Sequence, residues 1–142
     1  MEVVSRAGWT EHVEGAGKIR LDLPPEFTRI DPDSDHEQVL WQKGEDHLVL
    51  LSIHDGTFST VISPDGVGAV EQLARCSVEV AGRVAEVYRA WLAVGETRYF
   101  SAAVDVAVEQ GFGVGAAILS SDAQAWRIFV GLLQSIEVTE SR

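Results

Sequence analysis

A chain of 142 residues has the length of one domain and can bury about two thirds of the surface that its unfolded form exposes. Apolar residues at 46% and charged residues at 23% match an ordinary globular composition, which excludes disorder and a spanning segment as the source of its character. The 22 Asp and Glu against 11 Lys and Arg give a formal charge of −11, a field that repels phosphate backbones and anionic lipid and speaks against nucleic acid and membrane insertion.

Cys76 is the single cysteine, so neither an internal disulfide nor a thiolate zinc cluster can form. Met1 to Thr10 lacks the unbroken apolar stretch of a secretory signal, and the expected compartment is the cytoplasm. No repeat or linker divides the chain. The expectation is a single domain over 1–142, with 1–17 as a peripheral N-terminal segment anchored by Trp9 and Val13 and a core over about 18–138.

Lys18 to Leu23 alternates Ile19, Leu21 and Leu23 with Lys18, Arg20 and Asp22, the period of a half-buried strand that Pro24-Pro25 ends. Asp31 to Glu37 reads as a polar loop. Gln38 to Lys43 and His47 to His54 read as two strands joined at Gly44-Glu45-Asp46, the second apolar enough to lie inside a sheet. Ser63-Pro64-Asp65 is a helix-start signal, and Val67, Val70, Leu73 and Ala74 would give a short middle helix its apolar stripe. Val78 to Leu92, broken near Gly82, then Arg98 to Val108 and Phe112 to Leu119 read as further strands. Their short connections favour an antiparallel meander. Ser121 and Gln124 predict a capping box for a closing helix that buries Ala125, Ile128, Phe129, Leu132, Leu133 and Ile136. The fold class is α+β, an α/β sandwich with a mainly antiparallel sheet, a short middle helix and a C-terminal helix packed on it.

The Ile-x-Leu-x-Leu-Pro stretch at Ile19 to Pro24, Phe27 soon after it, and a closing helix ending Leu132-Leu133-Gln134-Ser135-Ile136 together resemble the PsbP-like fold. That fold is shared by an extrinsic subunit of photosystem II, a eukaryotic Ran-binding factor and bacterial DcrB-type proteins. The resemblance covers about Ile19 to Val138, and it implies non-enzymatic work as chaperone, adaptor or assembly factor. Pro24-Pro25-Glu26-Phe27 stands where many members carry a Gly-Trp pair after the proline, and no functional residue of the family maps onto this chain.

Several near-matches to chemical sites fail for stated reasons. Asp31, Asp33, Asp35 and Glu37 alternate as in a calcium loop, but His36 and Gln42 occupy the positions where an EF-hand needs Gly and Glu. His12, His36, His47 and His54 form no His-x-x-x-His or His-x-His pair, and His12-Val13-Glu14 lacks the cysteines that a zinc deaminase requires. Gly111, Gly113 and Gly115 have the wrong spacing for a dinucleotide loop and precede a strand; small residues there let another backbone approach closely. Ser52, His54 and Asp55 supply triad residue types without a nucleophile elbow. Cys76, with no local cation, reads as a small apolar residue.

The functional expectation is a non-enzymatic interaction domain that binds a protein partner, with no catalytic residue, cofactor or metal assigned. Of four tryptophans (Trp9, Trp41, Trp91, Trp126), Trp91 and Trp126, with Tyr88, are the candidate partner-binding residues, because such rings combine contact area with a polar tip. The alternative is a small-molecule-binding protein or divergent hydrolase with a pocket between sheet and helix. A homodimer through an exposed sheet edge is compatible with a meander, which leaves at least one edge to manage.

Overall fold

Alternating apolar residues along the strands set this architecture, because each strand presents every second side chain to one face. The computed structural model describes residues 4–14, 19–30, 38–44, 47–54, 69–109 and 112–138. Its elements in chain order are β1 (Thr10–Glu14), β2 (Ile19–Leu23), β3 (Thr28–Ile30), β4 (Gln38–Lys43), β5 (His47–His54), β6 (Ala69–Val80), β7 (Arg83–Val94), β8 (Thr97–Glu109), β9 (Phe112–Ser120), α1 (Ala125–Ser135) and β10 (Glu137–Val138). They build a three-stranded sheet in the order β1-β2-β10 and a seven-stranded sheet in the order β3-β4-β5-β9-β8-β7-β6. Every pairing is antiparallel. The chain is therefore an α+β fold, mostly antiparallel strand with one helix among the described residues.

The inner face of the large sheet carries Trp41, Val49, Leu51, Ala102, Val104, Ala116 and Ile118 into one core with Ile19, Leu21 and Leu23 of β2 and Phe129, Leu132 and Leu133 of α1. Trp41, Phe129 and the three β2 side chains are fully buried. Each large apolar side chain so placed contributes about 1.5–3 kcal/mol. Leu92, Ser101, Ala103 and Ala117 are also buried, though the register assigns them to the opposite face, so the middle of the sheet is covered on both sides. β5 lies between β4 and β9, as its continuous apolar run predicts. Hydrogen bonds tie the closing helix to the opening of the chain: Asp22 N–H donates to Ser135 Oγ at 2.8 Å, and Val4 N–H donates to Gln134 Oε1 at 2.8 Å.

Three expectations need correction. Residues 69–74 are strand, not the end of a middle helix, and Ser63 to Gly68 lie outside the described residues. The helical spacing of Val70, Leu73 and Ala74 is overridden because β7 offers a partner ladder along the whole of β6, interrupted only by an irregularity between Val70 and Gln72. The break near Gly82 is a hairpin turn: Ala81 and Gly82, at φ 51° and 79°, join β6 to β7 in the two-residue geometry whose left-handed backbone follows strand twist. Before α1, the Ser121 and Gln124 box does not form. Ser120 Oγ instead accepts the Asp122 N–H at 3.0 Å, and the Asp122 carboxylate accepts the Gln124 N–H at 2.8 Å. The aspartate reaches the helix start better because its short acceptor sits two residues from its donor.

The first segment is held in part as its sequence suggests, by Trp9 but not by Val13. Val13 is 54% exposed, whereas Val4 is buried. Trp9 lies against Gly131 of α1, where a Cβ would come within 2.5 Å of the indole. Glycine permits that approach.

Candidate functional site

The expected partner-binding aromatics fall on two faces. Arg89 and Trp91 share the inner face of β7 with Val87, while Tyr88 occupies the other face, where its hydroxyl donates to Glu86 at 3.4 Å and the Arg75 guanidinium lies 5.3 Å from its ring. Trp91 meets Phe100 edge-on at 5.4 Å, and Phe100 meets Trp126 of α1 at 6.1 Å. Arg98 stacks over Trp91 at 4.5 Å and Arg89 over Trp126 at 4.6 Å. Both indoles are half-buried and pack against the core. Fold topology thus brings Trp91 and Trp126 together and separates Tyr88 from them.

The histidines have distinct settings. Trp41 Nε1 can only donate, so the 3.3 Å contact makes His12 Nδ1 an acceptor and places the proton of the neutral ring on Nε2. That Nε2 is buried without a hydrogen-bond partner among the described residues. Burial lowers the His12 pKa from 6.5, outweighing Glu14 and Asp22, which raise it, while Arg29 lowers it further. Glu14 accepts Arg29 Nε with both carboxylate oxygens at 3.1 Å, joining the small sheet to β3. His47 Nδ1 pairs with Ser120 Oγ, whose side chain is buried and already accepts the Asp122 N–H. This contact ties the start of β5 to the end of β9.

Asp31 to Glu37, Asp55 and Gly111 lie outside the described residues, as do the side chains of Ser52 and His54. Gly113 and Gly115 sit in β9 opposite residues of both β5 and β8. Cys76 points inward from β6, across from Val87, and packs on the core. No group of three or more His, Cys, Asp or Glu able to hold a metal occurs among the described residues. Nor is any described helix long and apolar enough to cross a membrane.

A surface that no sequence motif marks lies at the end of the large sheet. β6 terminates the strand order, with no described strand beyond it. In a two-residue hairpin the residues flanking the turn exchange both backbone bonds, so Val80 bonds Arg83. Alternation then turns Val78 and Cys76 toward β7 as well and leaves the N–H and C=O of Arg75, Ser77 and Glu79 directed away from the sheet. Beside that edge runs an open groove of about 660 Å³, lined by Ser77, Val78 and Glu79 from β6, by Val130, Leu133, Gln134 and Ile136 at the end of the chain, and by Arg6, Ala81, Gly82 and Val84. Val84 is 78% exposed, one of two large apolar side chains so exposed among the described residues. None of Trp91, Tyr88 and Trp126 lines it. The only sequence signal for it is the Ala81-Gly82 turn, which fixes the register and hence the direction of the outward groups.

No family model matches the chain, and no curated protein matches it by sequence. Solved structures do share its fold. A protein from Bacteroides thetaiotaomicron matches with a TM-score of 0.66 at 7% identity over 94% of this chain; the chain spans about half, 50%, of that protein's length. LpqN, involved in cell envelope biogenesis of Mycobacterium tuberculosis, matches with a TM-score of 0.58 at 14% identity, covering 93% of this chain and 91% of LpqN. At these identities the likeness is one of fold.

Proposed function

We propose that this is a non-enzymatic interaction domain, of chaperone, adaptor or assembly-factor type, that takes an extended segment of a protein partner against the outer edge of β6, beyond which no described strand lies. The observation that carries the reading is the outward row of backbone donors and acceptors at Arg75, Ser77 and Glu79 beside a groove of mixed polar and apolar lining. Strand addition uses those elements: main-chain bonds supply affinity, and pockets for alternate side chains supply specificity. The segment that fits alternates apolar with polar residues and sets charges opposite to those of Arg75 and Glu79 where it faces them.

Kinship with PsbP-like proteins belongs to this proposal. It is supported by a β2 that stops before Pro24 and by a closing helix that packs on β2. The proposal keeps the cytoplasm as compartment; the involvement of LpqN in envelope biogenesis points elsewhere, and fractionation of the native host decides between them.

A displayed library of extended peptides, selected on the protein, tests the function. Selected peptides should shift amide resonances at 75–79 and lose affinity for Ser77→Pro, which removes one outward donor at an edge position that tolerates proline. Trp91→Ala should leave selection unchanged. Peptides that bind Ser77→Pro as well as the wild type overturn the site. A second reading, a small-molecule binder, is favoured by the groove volume, which falls in the range of ligand pockets. A ligand at a hundred times its Kd stabilises by about 2.7 kcal/mol, so a thermal-shift panel of nucleotides, lipids and metals separates the two.

A further inference from the structure

We infer that the β6 edge also pairs with a second copy of this chain, antiparallel, so that Ser77 meets its own symmetry mate and Arg75 of each copy faces Glu79 of the other. The inference rests on the reading of this edge as the interaction surface and names its partner.

The register follows from two constraints. Outward backbone groups belong to residues of one parity, Arg75, Ser77 and Glu79, so only a pairing that sets these against residues of the same parity closes the ladder. In such a pairing each facing couple exchanges two backbone bonds, and a two-fold axis normal to the sheet keeps like faces together. The side chains of Arg75, Ser77 and Glu79 are exposed, whereas those of Val78 and Val80 are buried in the core. The exposed row therefore meets itself.

Charge then selects among the allowed centres, since opposite charges directly across a ladder stabilise it and like charges oppose it. A centre at Arg75 sets that arginine against itself, and a centre at Glu79 sets glutamate against glutamate. A centre at Ser77 gives two Arg75–Glu79 couples flanking a serine pair. A centre at Leu73 carries Glu79 past Ala69, where β6 begins, and leaves that end of the row without a facing strand residue. The Ser77 register is the one that uses the whole row beside the groove. It joins two seven-stranded sheets into one and covers the free edge of both copies.

Sedimentation equilibrium of the full chain at physiological salt tests this. The wild type should be a dimer, and Arg75→Glu and Glu79→Arg should each weaken it about tenfold or more, while the Arg75→Glu/Glu79→Arg pair should recover most of the loss. Far-ultraviolet circular dichroism verifies that each variant folds. Should a reversal variant fail to fold, Ser77→Cys combined with Cys76→Ser provides an independent reading. Its introduced thiols should oxidise to a cross-linked dimer, because facing residues in bonded pairs lie about 5.5 Å apart at Cα, within disulfide reach. A monomeric wild type overturns the inference, as does a dimer that neither reversal weakens. Weakening by Arg75→Glu but not by Glu79→Arg overturns the Ser77 register. A monomer that still selects peptides at 75–79 would sink the dimer and keep the interaction surface, whereas a dimer whose reversal variants select no peptide would restrict that surface to self-association.

Discussion

The two ends of the seven-stranded sheet manage their edges differently. At the β3 end, side chains from the small sheet reach across: Glu14 grips Arg29, and His12 takes the Trp41 indole N–H. At the β6 end the described residues offer no such bridge, and a row of backbone groups faces a groove. A sheet end braced by side chains gains stability from them, and an end without such a bridge among the described residues is available for binding. Substitutions at the first end should therefore read out in unfolding and those at the second in association.

The largest effect is expected at Trp41. Replacing this fully buried indole by alanine should cost about 3–5 kcal/mol, measured by urea unfolding, because it removes both a core ring and the partner of His12. Next comes Glu14→Ala, which removes the carboxylate that Arg29 Nε donates to and, because that arginine is exposed, should cost about 0.5–1 kcal/mol. If Ser77→Pro costs as much as either, the contrast between the ends fails.

The pH dependence sharpens the same contrast. His12 titrates below 6.5 in the folded chain because burial disfavours its charged form, so between that lowered value and 6.5 the unfolded state binds more protons. The stabilisation is complete above about pH 6.5 and is lost as pH falls through the folded pKa. His12→Gln should flatten the part of the profile due to this group in pH-dependent unfolding.

The smallest effects concern two backbone positions. Gly131→Ala gains helix propensity, up to about 1 kcal/mol, but drives a Cβ against Trp9; the gain should appear in a Trp9→Ala background and be diminished or reversed in the wild type, as a double-mutant cycle will show. Ala81→Gly relieves a left-handed alanine at the cost of unfolded-state entropy. It should raise stability by less than about 1 kcal/mol in thermal unfolding, without affecting the β3 end.

Strands were legible in the sequence wherever period and punctuation agreed. β4 and β5 have the bounds expected from Gln38 to Lys43 and His47 to His54, and β2 follows its alternation to Leu23. The short strands β1, β3 and β10 lack an alternating apolar pattern of their own: β1 and β3 are defined by pairing with the next strand along the chain and β10 by pairing with the distant β2. Val70, Leu73 and Ala74 likewise fit a helical stripe by spacing, but over 69–74 the β7 ladder makes them strand. Trp91 and Trp126 stood out by type, but their shared contact with Phe100 arises from tertiary packing. The groove was illegible because its chemistry is main-chain, and main-chain groups carry no residue identity; only the Ala81-Gly82 turn hinted at their direction.

The pairing of β2 with β10, reinforced by the hold of Ser135 on Asp22, has a kinetic consequence. Successive hairpins from β6 to β9 close short loops and are expected to assemble early, whereas bringing Ile19 to Val138 must span most of the chain and bears the greatest closure entropy. Joining the two ends is then the late step of folding. Disturbance at Asp22 or Ser135 should chiefly accelerate unfolding while leaving the rate of refolding nearly unchanged.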